Sequence, residues 1–202
     1  EEQKREEIFF NEILAQDEIT QLLEPKVLTN AKLIDKDGEK ELDHFNRSEN
    51  GTITDNLIIK GNNLLALHAL KEEFAGTVKL IYIDPPYNTG SDSFKYNDSF
   101  TESTWLTFMH NRLKIAHSLL HESGVLLVQI NDHNQTNLKM LLDEVFGREN
   151  FINIISVRTK SPSGFKTVNL GLFETAEYVL MHGKSKNEFK YNPQYVDSGY
   201  DE

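Results

Sequence analysis

From residue 57 onward, apolar residues follow two patterns that alternate along the chain. Short continuous apolar runs predict buried strands, and they occupy residues 57–59, 78–83, 125–130, 151–157 and 177–181. Apolar positions at helical spacing predict helices over residues 64–70, 104–121 and 138–145. Strands that alternate with helices predict crossover connections and a parallel, doubly wound α/β sheet. Such sheets bind their ligands beyond the carboxyl ends of the strands.

The first 55 residues have a different character. Apolar residues near helical spacing among charges predict a helix over residues 1–24. Residues 34–55 are polar and contain the turn dipeptides Asp37-Gly38 and Asn50-Gly51. We therefore predict an N-terminal helical extension over residues 1–55 and a core domain over residues 56–183. Residues 184–202 are expected to begin a further region or to form a tail.

Composition excludes several classes of protein. The chain has no cysteine, which removes disulfides and thiolate metal sites, and its histidines lack metal-ligand spacing. No apolar run approaches the roughly 20 residues of a membrane span, and the acidic start does not resemble a secretory signal. These features predict a cytoplasmic protein with no membrane partner.

The net charge of −11 argues at first against a nucleic-acid partner, because phosphate contacts need Lys and Arg. The charge is unevenly distributed, however. Residues 1–50 hold 14 acidic and 7 basic side chains, whereas residues 151–190 hold 3 acidic and 6 basic ones. Lys160 and Lys166 belong to this basic stretch and are candidate DNA contacts, with a solvated surface as the equally plain alternative.

The segment Asp84-Pro85-Pro86-Tyr87 follows the second predicted strand of the core and is the most informative part of the sequence. The two prolines fix φ and offer no N–H, so the backbone carbonyls are left free to accept hydrogen bonds. An exocyclic amine on a base is a poor nucleophile with two hydrogens to donate. The Asp84 carboxylate and the Pro85 carbonyl together suit such an amine, and Asp84 need not be a strong base because the amine becomes acidic once methylated.

Tyr87 offers a flat face on which a base extruded from the duplex can stack. A strand-ending turn is the alternative reading of the tetrapeptide, since Asp-Pro and Pro-Tyr are common in loops. The position of the tetrapeptide, where a doubly wound sheet places its active site, favours a function in methyl transfer.

The tetrapeptide resembles the catalytic motif of amino-methyltransferases, and longer strings resemble the Mod subunits of type III restriction-modification systems. These strings are Asn56-Leu-Ile-Ile-Lys-Gly-Asn-Asn-Leu-Leu-Ala-Leu-His68, Lys79-Leu-Ile-Tyr-Ile-Asp-Pro-Pro-Tyr-Asn-Thr-Gly90 and Trp105-Leu-Thr-Phe-Met-His-Asn-Arg-Leu113. The resemblance implies a Rossmann-like fold and methyl transfer from S-adenosylmethionine to adenine N6 in double-stranded DNA. Cytosine-N4 enzymes usually carry serine where Asp84 stands. A Mod homodimer and a restriction (Res) subunit are the implied protein partners.

The resemblance also assigns roles to individual residues. Asn62 maps to the turn that contacts the adenine of the cofactor, although many relatives have aspartate there. Trp105, Phe108 and Met109 map to a wall of the cofactor pocket, with ordinary helix-to-sheet packing as the alternative for all three and the favoured one for Phe108 and Met109. Asp84 borders the same pocket.

Other candidates lie nearer the DNA. Asn88 follows the motif, and residues 91–103 resemble a loop that closes over the site. Phe94, Lys95 and Tyr96 in this loop are candidate contacts to DNA or cofactor, with a solvated loop as the equally plain alternative. Asp132 follows the third predicted strand of the core, where it is a candidate base contact or, more plainly, a helix cap.

One expected motif is absent from the 202 residues. Methyltransferases of this kind hold the methionine end of the cofactor with Phe-x-Gly-x-Gly after a strand, and the sequence contains no such motif. The resemblance places that motif after a DNA-recognition region, so residues 184–202 are expected to begin that region and the chain is expected to be one part of a longer enzyme. A cytosine-N4 or RNA amino-methyltransferase, and a non-catalytic interaction module that retains the fold, are the alternatives.

Overall fold

The computed structural model describes residue 24 and residues 28–89, 101–159 and 175–193. The helix predicted over residues 1–24 lies outside these ranges except for its last residue. Within residues 28–55 the structure forms a hairpin of two exposed strands, β1 (Lys32–Asp35) and β2 (Gly38–Glu41). The predicted Asp37-Gly38 turn joins them, and Gly38 has the positive φ of 112° that glycine accommodates.

A four-stranded sheet forms the centre of the described fold. Its strands are β3 (Val78–Ile83), β4 (Leu120–Ile130), β5 (Phe151–Arg158) and β6 (Ala176–Gly183), in the order β3-β4-β6-β5. β3 and β4 are parallel as predicted, but β6 runs antiparallel to both β4 and β5. The wholly parallel sheet was therefore a wrong prediction. No helix was predicted between β5 and β6, and strands without a crossover helix pair antiparallel.

The described ranges contain the helices α1 (Asn63–Phe74), α2 (Glu102–Leu119) and α3 (Asp132–Phe146). Helices α2 and α3 pack on the sheet, and α1 packs against α2. A short 3₁₀ turn, η1, follows at Arg148–Asn150. The core lies between α2, α3 and one face of the sheet. Its fully buried side chains include Trp105, Leu113, Leu126, Ile130, Leu138, Leu142 and Leu180. Helix α3 ends at Gly147, as expected, where φ is 86°.

The strand predicted over residues 57–59 is absent, and this prediction was wrong. Residue Ile58 is 95% exposed and Leu57 is 37% exposed. A strand needs a neighbour to take up its backbone hydrogen bonds. β3 pairs along one edge with β4, and no strand of the described ranges lies along its other edge. Residues 57–59 pair neither with this free edge nor with another strand of the described ranges, so they form no strand.

The described ranges contain neither a membrane-spanning helix nor a cluster of metal-ligating side chains. None of the helices in those ranges is both long enough and apolar enough to cross a membrane. The same ranges bring together no group of three or more His, Asp or Glu side chains suited to a metal ion.

A buried ionisable pair connects α3 to β6. The His182 side chain is completely buried, and its Nε2 lies 3.1 Å from Oδ1 of Asp143. Lys139 donates to both oxygens of the same carboxylate at 2.6 and 2.7 Å. Burial lowers the pKa of His182 below its ordinary value, and the hydrogen bond to Asp143 offsets this only in part. His182 is therefore neutral in the folded protein near pH 7.

This pair generates a prediction about stability and pH. An unfolded histidine takes up a proton near pH 6.5, whereas folded His182 resists protonation. The unfolded chain therefore binds more protons below that pH, and the free energy of unfolding should fall as the pH is lowered through 6.5. In urea titrations at several pH values, His182→Gln should show a shallower decline than the wild type.

Burial also lowers the pKa of His117, so part of the decline should remain in the His182 variant. His133 is exposed on α3, and His133→Gln should behave as the wild type does. Identical pH slopes for His182→Gln and the wild type would contradict this account.

Candidate functional site

The Asp84-Pro85-Pro86-Tyr87 segment lies immediately after β3, at the carboxyl edge of the sheet. Because β3 and β4 are parallel, β4 ends at the same edge, and α3 begins there at Asp132. Asp84 is exposed, whereas Pro85, Pro86 and Tyr87 are half-buried. The structure thus places the predicted motif where the fold class predicts a binding site.

A buried tryptophan holds the middle of this segment. Trp105 has no exposed surface, and its Nε1–H donates to the carbonyl of Pro86 at 2.7 Å. The residue lies in the first turn of α2, which begins after the N-cap Thr101. Its predicted role was a wall of the cofactor pocket. In this chain its ring has no face open to solvent, and it acts on the site through the Pro86 carbonyl.

A buried asparagine holds the next carbonyl. Asn134 is 3% exposed in the first turn of α3, and its Nδ2 donates to the carbonyl of Tyr87 at 2.7 Å. Asn131 caps this helix by accepting from the backbone N–H of Asn134. The capping role considered for Asp132 therefore belongs to Asn131. Asp132 is the exposed first residue of α3, at the edge of the site.

The backbone carbonyls of the motif differ in whether they accept a hydrogen bond from the protein. The carbonyls of Pro86 and Tyr87 are both occupied, while the Pro85 carbonyl accepts no hydrogen bond from the described residues. The Asp84 carboxylate is exposed one residue earlier. The arrangement therefore presents one carboxylate and one carbonyl to a ligand that carries two hydrogens to donate.

Tyr87 is fixed through its hydroxyl as well as its backbone. The hydroxyl donates to Oε2 of Glu177 on β6 at 2.9 Å. Burial raises the pKa of the Tyr87 phenol far above its ordinary value, and its hydrogen bond to Glu177 and its charge and hydrogen-bond interaction with the nearby Asp84 raise it further. The ring is therefore neutral and protonated at any physiological pH, as a stacking surface for a base should be.

The cofactor candidates lie where α1 meets α2. Asn62 is the N-cap of α1, and its side chain accepts from the N–H of Leu64 at 3.0 Å. The guanidinium of Arg112 lies 3.4 Å from the ring centroid of Phe108, and Arg112 Nε donates to Oδ1 of Asn63 at 2.9 Å. Arg112 thereby links Phe108 of α2 to Asn63, the first residue of α1, which directly follows Asn62.

The remaining candidates are Met109, Asn88 and five residues outside the described ranges. Met109 is 1% exposed and belongs to the core, in agreement with the packing alternative. Asn88 directly follows Tyr87 with a φ of 58°, a backbone conformation that non-glycine residues adopt at turns and functional sites. The candidates Phe94, Lys95, Tyr96, Lys160 and Lys166 lie outside the described residues.

Sequence reasoning missed four residues of this site: Arg112, Gln129, Asn134 and Glu177. The available signal was a polar side chain inside an apolar pattern. Gln129 interrupts the apolar run of β4, and Glu177 stands at the start of β6. Such residues usually have hydrogen-bonding partners when they are buried, but the pattern alone does not name the partner.

Comparison with known proteins gives one family. Residues 78–202 match the N6_N4_Mtase family, described as "DNA methylase". The "Probable type III restriction-modification enzyme HindVI Mod subunit" of Haemophilus influenzae is 49% identical over 194 residues, which is 95% of this chain and 26% of that protein. The EcoPI Mod subunit of Escherichia phage P1 is 33% identical over 78% of this chain and 29% of that protein.

The chain thus spans between a quarter and a third of the length of these two curated relatives. Among solved structures, PvuII DNA methyltransferase (cytosine-N4-specific) is 18% identical. It covers 71% of this chain, and this chain covers 54% of it, with a TM-score of 0.48.

The buried hydrogen bond from Asn134 generates a prediction about the catalytic-edge loop. Asn134→Ala removes the donor to the Tyr87 carbonyl and should lower the free energy of unfolding by about 1–3 kcal/mol, the cost of leaving a buried group unpaired. Urea unfolding followed by the fluorescence of Trp105, which is the one tryptophan in the sequence, measures this. Thr136→Ala, an exposed site on the same helix, should change stability by less than about 0.5 kcal/mol. Equal losses in both variants would show that the hydrogen bond does not hold the loop.

Proposed function

The chain belongs to the N6/N4 DNA methylase family, and we propose that the protein containing it transfers a methyl group from S-adenosylmethionine to adenine N6 in DNA. The observation that carries the proposal is the pair of adjacent acceptors, the exposed Asp84 carboxylate and the Pro85 carbonyl, on a loop whose next two carbonyls are held by buried donors. The names of the two curated relatives described above support a role as the modification subunit of a type III restriction-modification system.

The geometry suits an exocyclic amine because such an amine has two hydrogens. One N–H donates to the Asp84 carboxylate and the other to the Pro85 carbonyl. Both contacts draw electron density onto the nitrogen and favour a tetrahedral arrangement in which its lone pair is localised. When bound, S-adenosylmethionine supplies a methyl group on a sulfonium, which leaves as a neutral thioether. As the N–C bond forms, the nitrogen loses one proton to the Asp84 carboxylate.

Tyr87 has a separate task. The target nitrogen is out of reach inside a duplex, so the base must be extruded before transfer. A neutral aromatic ring beside the two acceptors offers a stacking surface worth roughly 1–3 kcal/mol per base. Asn88 directly follows Tyr87, and Asp132 begins α3 at the same edge of the sheet. We propose both as contacts to the extruded base or its neighbours. Lys95, Lys160 and Lys166 are proposed as phosphate contacts on account of their charge.

The described residues supply only part of a cofactor site. Phe108, which Arg112 links to Asn63, and the neighbouring Asn62 are proposed to contact the adenine end of S-adenosylmethionine. Trp105 supports the Pro86 carbonyl of the loop after β3. The sequence holds no Phe-x-Gly-x-Gly motif for the methionine end. We therefore propose that this chain provides the target-amine side of the active site and that other residues of the protein complete the cofactor side.

Partners follow from the same proposal. Double-stranded DNA is the substrate, and a second Mod subunit and a Res subunit are the proposed protein partners. The support for the protein partners is the naming of the relatives as subunits of type III enzymes. The main alternative is a non-catalytic interaction module, which the missing glycine motif favours and the intact acceptor pair of the loop opposes.

The first test measures the reaction itself. Full-length protein should transfer labelled methyl groups from S-adenosylmethionine to unmethylated genomic DNA, and nucleoside analysis should identify N6-methyladenine as the product. The 202-residue chain, assayed beside it, should give no product because its cofactor side is incomplete. N4-methylcytosine as the product would contradict the adenine assignment. A full-length protein that neither methylates DNA nor binds S-adenosylmethionine would favour the interaction module.

A substitution tests the role of the carboxylate. Asp84→Ala in the full-length protein removes one of the two acceptors and the group that receives the proton. Since positioned acid–base groups contribute about 10²–10⁴ in rate, kcat should fall by at least about 100-fold, while DNA binding in a gel-shift assay should stay close to that of the wild type. Asp43→Ala, an exposed site remote in sequence, should keep full activity. Wild-type methylation by the Asp84 variant would rule out the mechanism.

A further inference from the structure

We propose that Glu177, itself held by Gln129, is a positioning residue that fixes the ring of Tyr87 for stacking of the extruded base. This inference rests on the proposed function and assigns a role to two residues outside the predicted motif. The juxtaposition that carries it is a chain of hydrogen bonds running from β3 across β4 to the first residues of β6 and back to the loop after β3.

The direction of β6 is what brings Glu177 to the site. β6 is antiparallel to β4, and Ile130 at the carboxyl end of β4 pairs with Tyr178 near the amino end of β6. Glu177 therefore lies at the carboxyl edge of β3 and β4, beside the loop that carries Tyr87. A parallel β6 would place its first residues at the opposite edge of the sheet.

The hydrogen bonds also fix the orientation of the carboxylate. The hydroxyl of Tyr82 donates to Oε1 of Gln129, so the amide nitrogen of Gln129 points the other way and donates to Oε2 of Glu177 at 2.6 Å. The same Oε2 accepts from the hydroxyl of Tyr87 at 2.9 Å. Two donors on one oxygen hold the carboxylate in place, so Glu177 acts as a fixed anchor for the phenol.

Tyr87 is consequently held at two separated points. Asn134 binds its backbone carbonyl at 2.7 Å, and Glu177 binds its hydroxyl at the far end of the side chain. Because Asn134 holds the backbone, rotation of the side chain about the Cα–Cβ bond would break the hydrogen bond between the hydroxyl and Glu177. The stacking surface is therefore organised before the base arrives, which reduces the ordering that binding must otherwise supply.

The test compares four variants of the full-length protein: Glu177→Ala, Glu177→Gln, Tyr87→Phe and the double variant Glu177→Ala/Tyr87→Phe. Glu177→Ala should lower kcat for DNA methylation about 10-fold, in line with the sensitivity of transfer reactions to small misplacements. Its KM for S-adenosylmethionine should be unchanged, because Glu177 acts through the Tyr87 ring on the base and has no contact with the methyl donor in this proposal. Glu177→Gln keeps an acceptor oxygen and should recover part of the loss.

The double variant separates positioning from a general loss of structure. Tyr87→Phe keeps the ring but removes the hydroxyl through which Glu177 acts. Adding Glu177→Ala to it should therefore cost little more, whereas two independent effects would multiply. Glu144→Ala changes an exposed glutamate of α3, and it should retain wild-type kinetics. Thermal unfolding of each variant checks that the fold is retained, and Glu177→Gln decides the question if Glu177→Ala does not fold.

The outcomes are distinguishable from failure of the proposed function. A wild-type protein without methylation activity overturns that function and this inference with it. An active wild type, with full activity in Glu177→Ala or with losses that multiply in the double variant, overturns the role of Glu177 alone. The role of Glu177 is supported if the double variant loses little more activity than Tyr87→Phe alone and if Glu177→Gln recovers part of the activity.

Discussion

The geometry of the site depends on one constraint, which is that a buried hydrogen-bond donor must have an acceptor inside the protein. Trp105 and Asn134 are almost completely buried, and each carries an N–H group that must find a partner inside the protein. Both partners are backbone carbonyls of the loop after β3. The core therefore determines the shape of the loop: two consecutive carbonyls turn inward to the helices, and the preceding acceptors are left for a ligand. The prolines contribute by fixing φ and offering no competing N–H.

The mixed sheet matters for the same reason. Parallel strands β3 and β4 bring the motif and the start of α3 to one edge, as in any doubly wound sheet. The antiparallel strand β6 adds its own first residues to that edge and so contributes Glu177. The loop is thus held from the helical layer by Trp105 and Asn134 and from within the sheet by Glu177.

Much of this could be predicted from the sequence, and the failures have specific physical causes. The bounds of β3 and the end of α3 at Gly147 follow from local patterns, and the Asp84-Pro85-Pro86-Tyr87 motif was recognised because it follows a buried strand. The prediction of a strand at residues 57–59 was wrong because an apolar run does not reveal whether its backbone will pair with another strand. The direction of β6 was predicted wrongly because the alternation of strands and helices in the earlier part of the core was extended to β5 and β6, between which no crossover helix is predicted. Asn134 and Glu177 escaped notice because their partners are 47 and 90 residues away, and no local pattern encodes such a contact.

The negative charge of the site fits the proposed function, in which the site binds a base and residues elsewhere bind the DNA backbone. Asp84, Glu177 and the exposed Asp132 make the described edge of the sheet acidic, which would oppose phosphate binding at that point. A neutral base is different, because its exocyclic amine donates hydrogens and is attracted to carboxylates. An acidic pocket therefore suits the chemistry on the base, while the hold on the DNA backbone has to come from basic residues elsewhere. The net charge of −11, which first argues against a nucleic-acid partner, is compatible with a pocket that receives a base and leaves the phosphates outside.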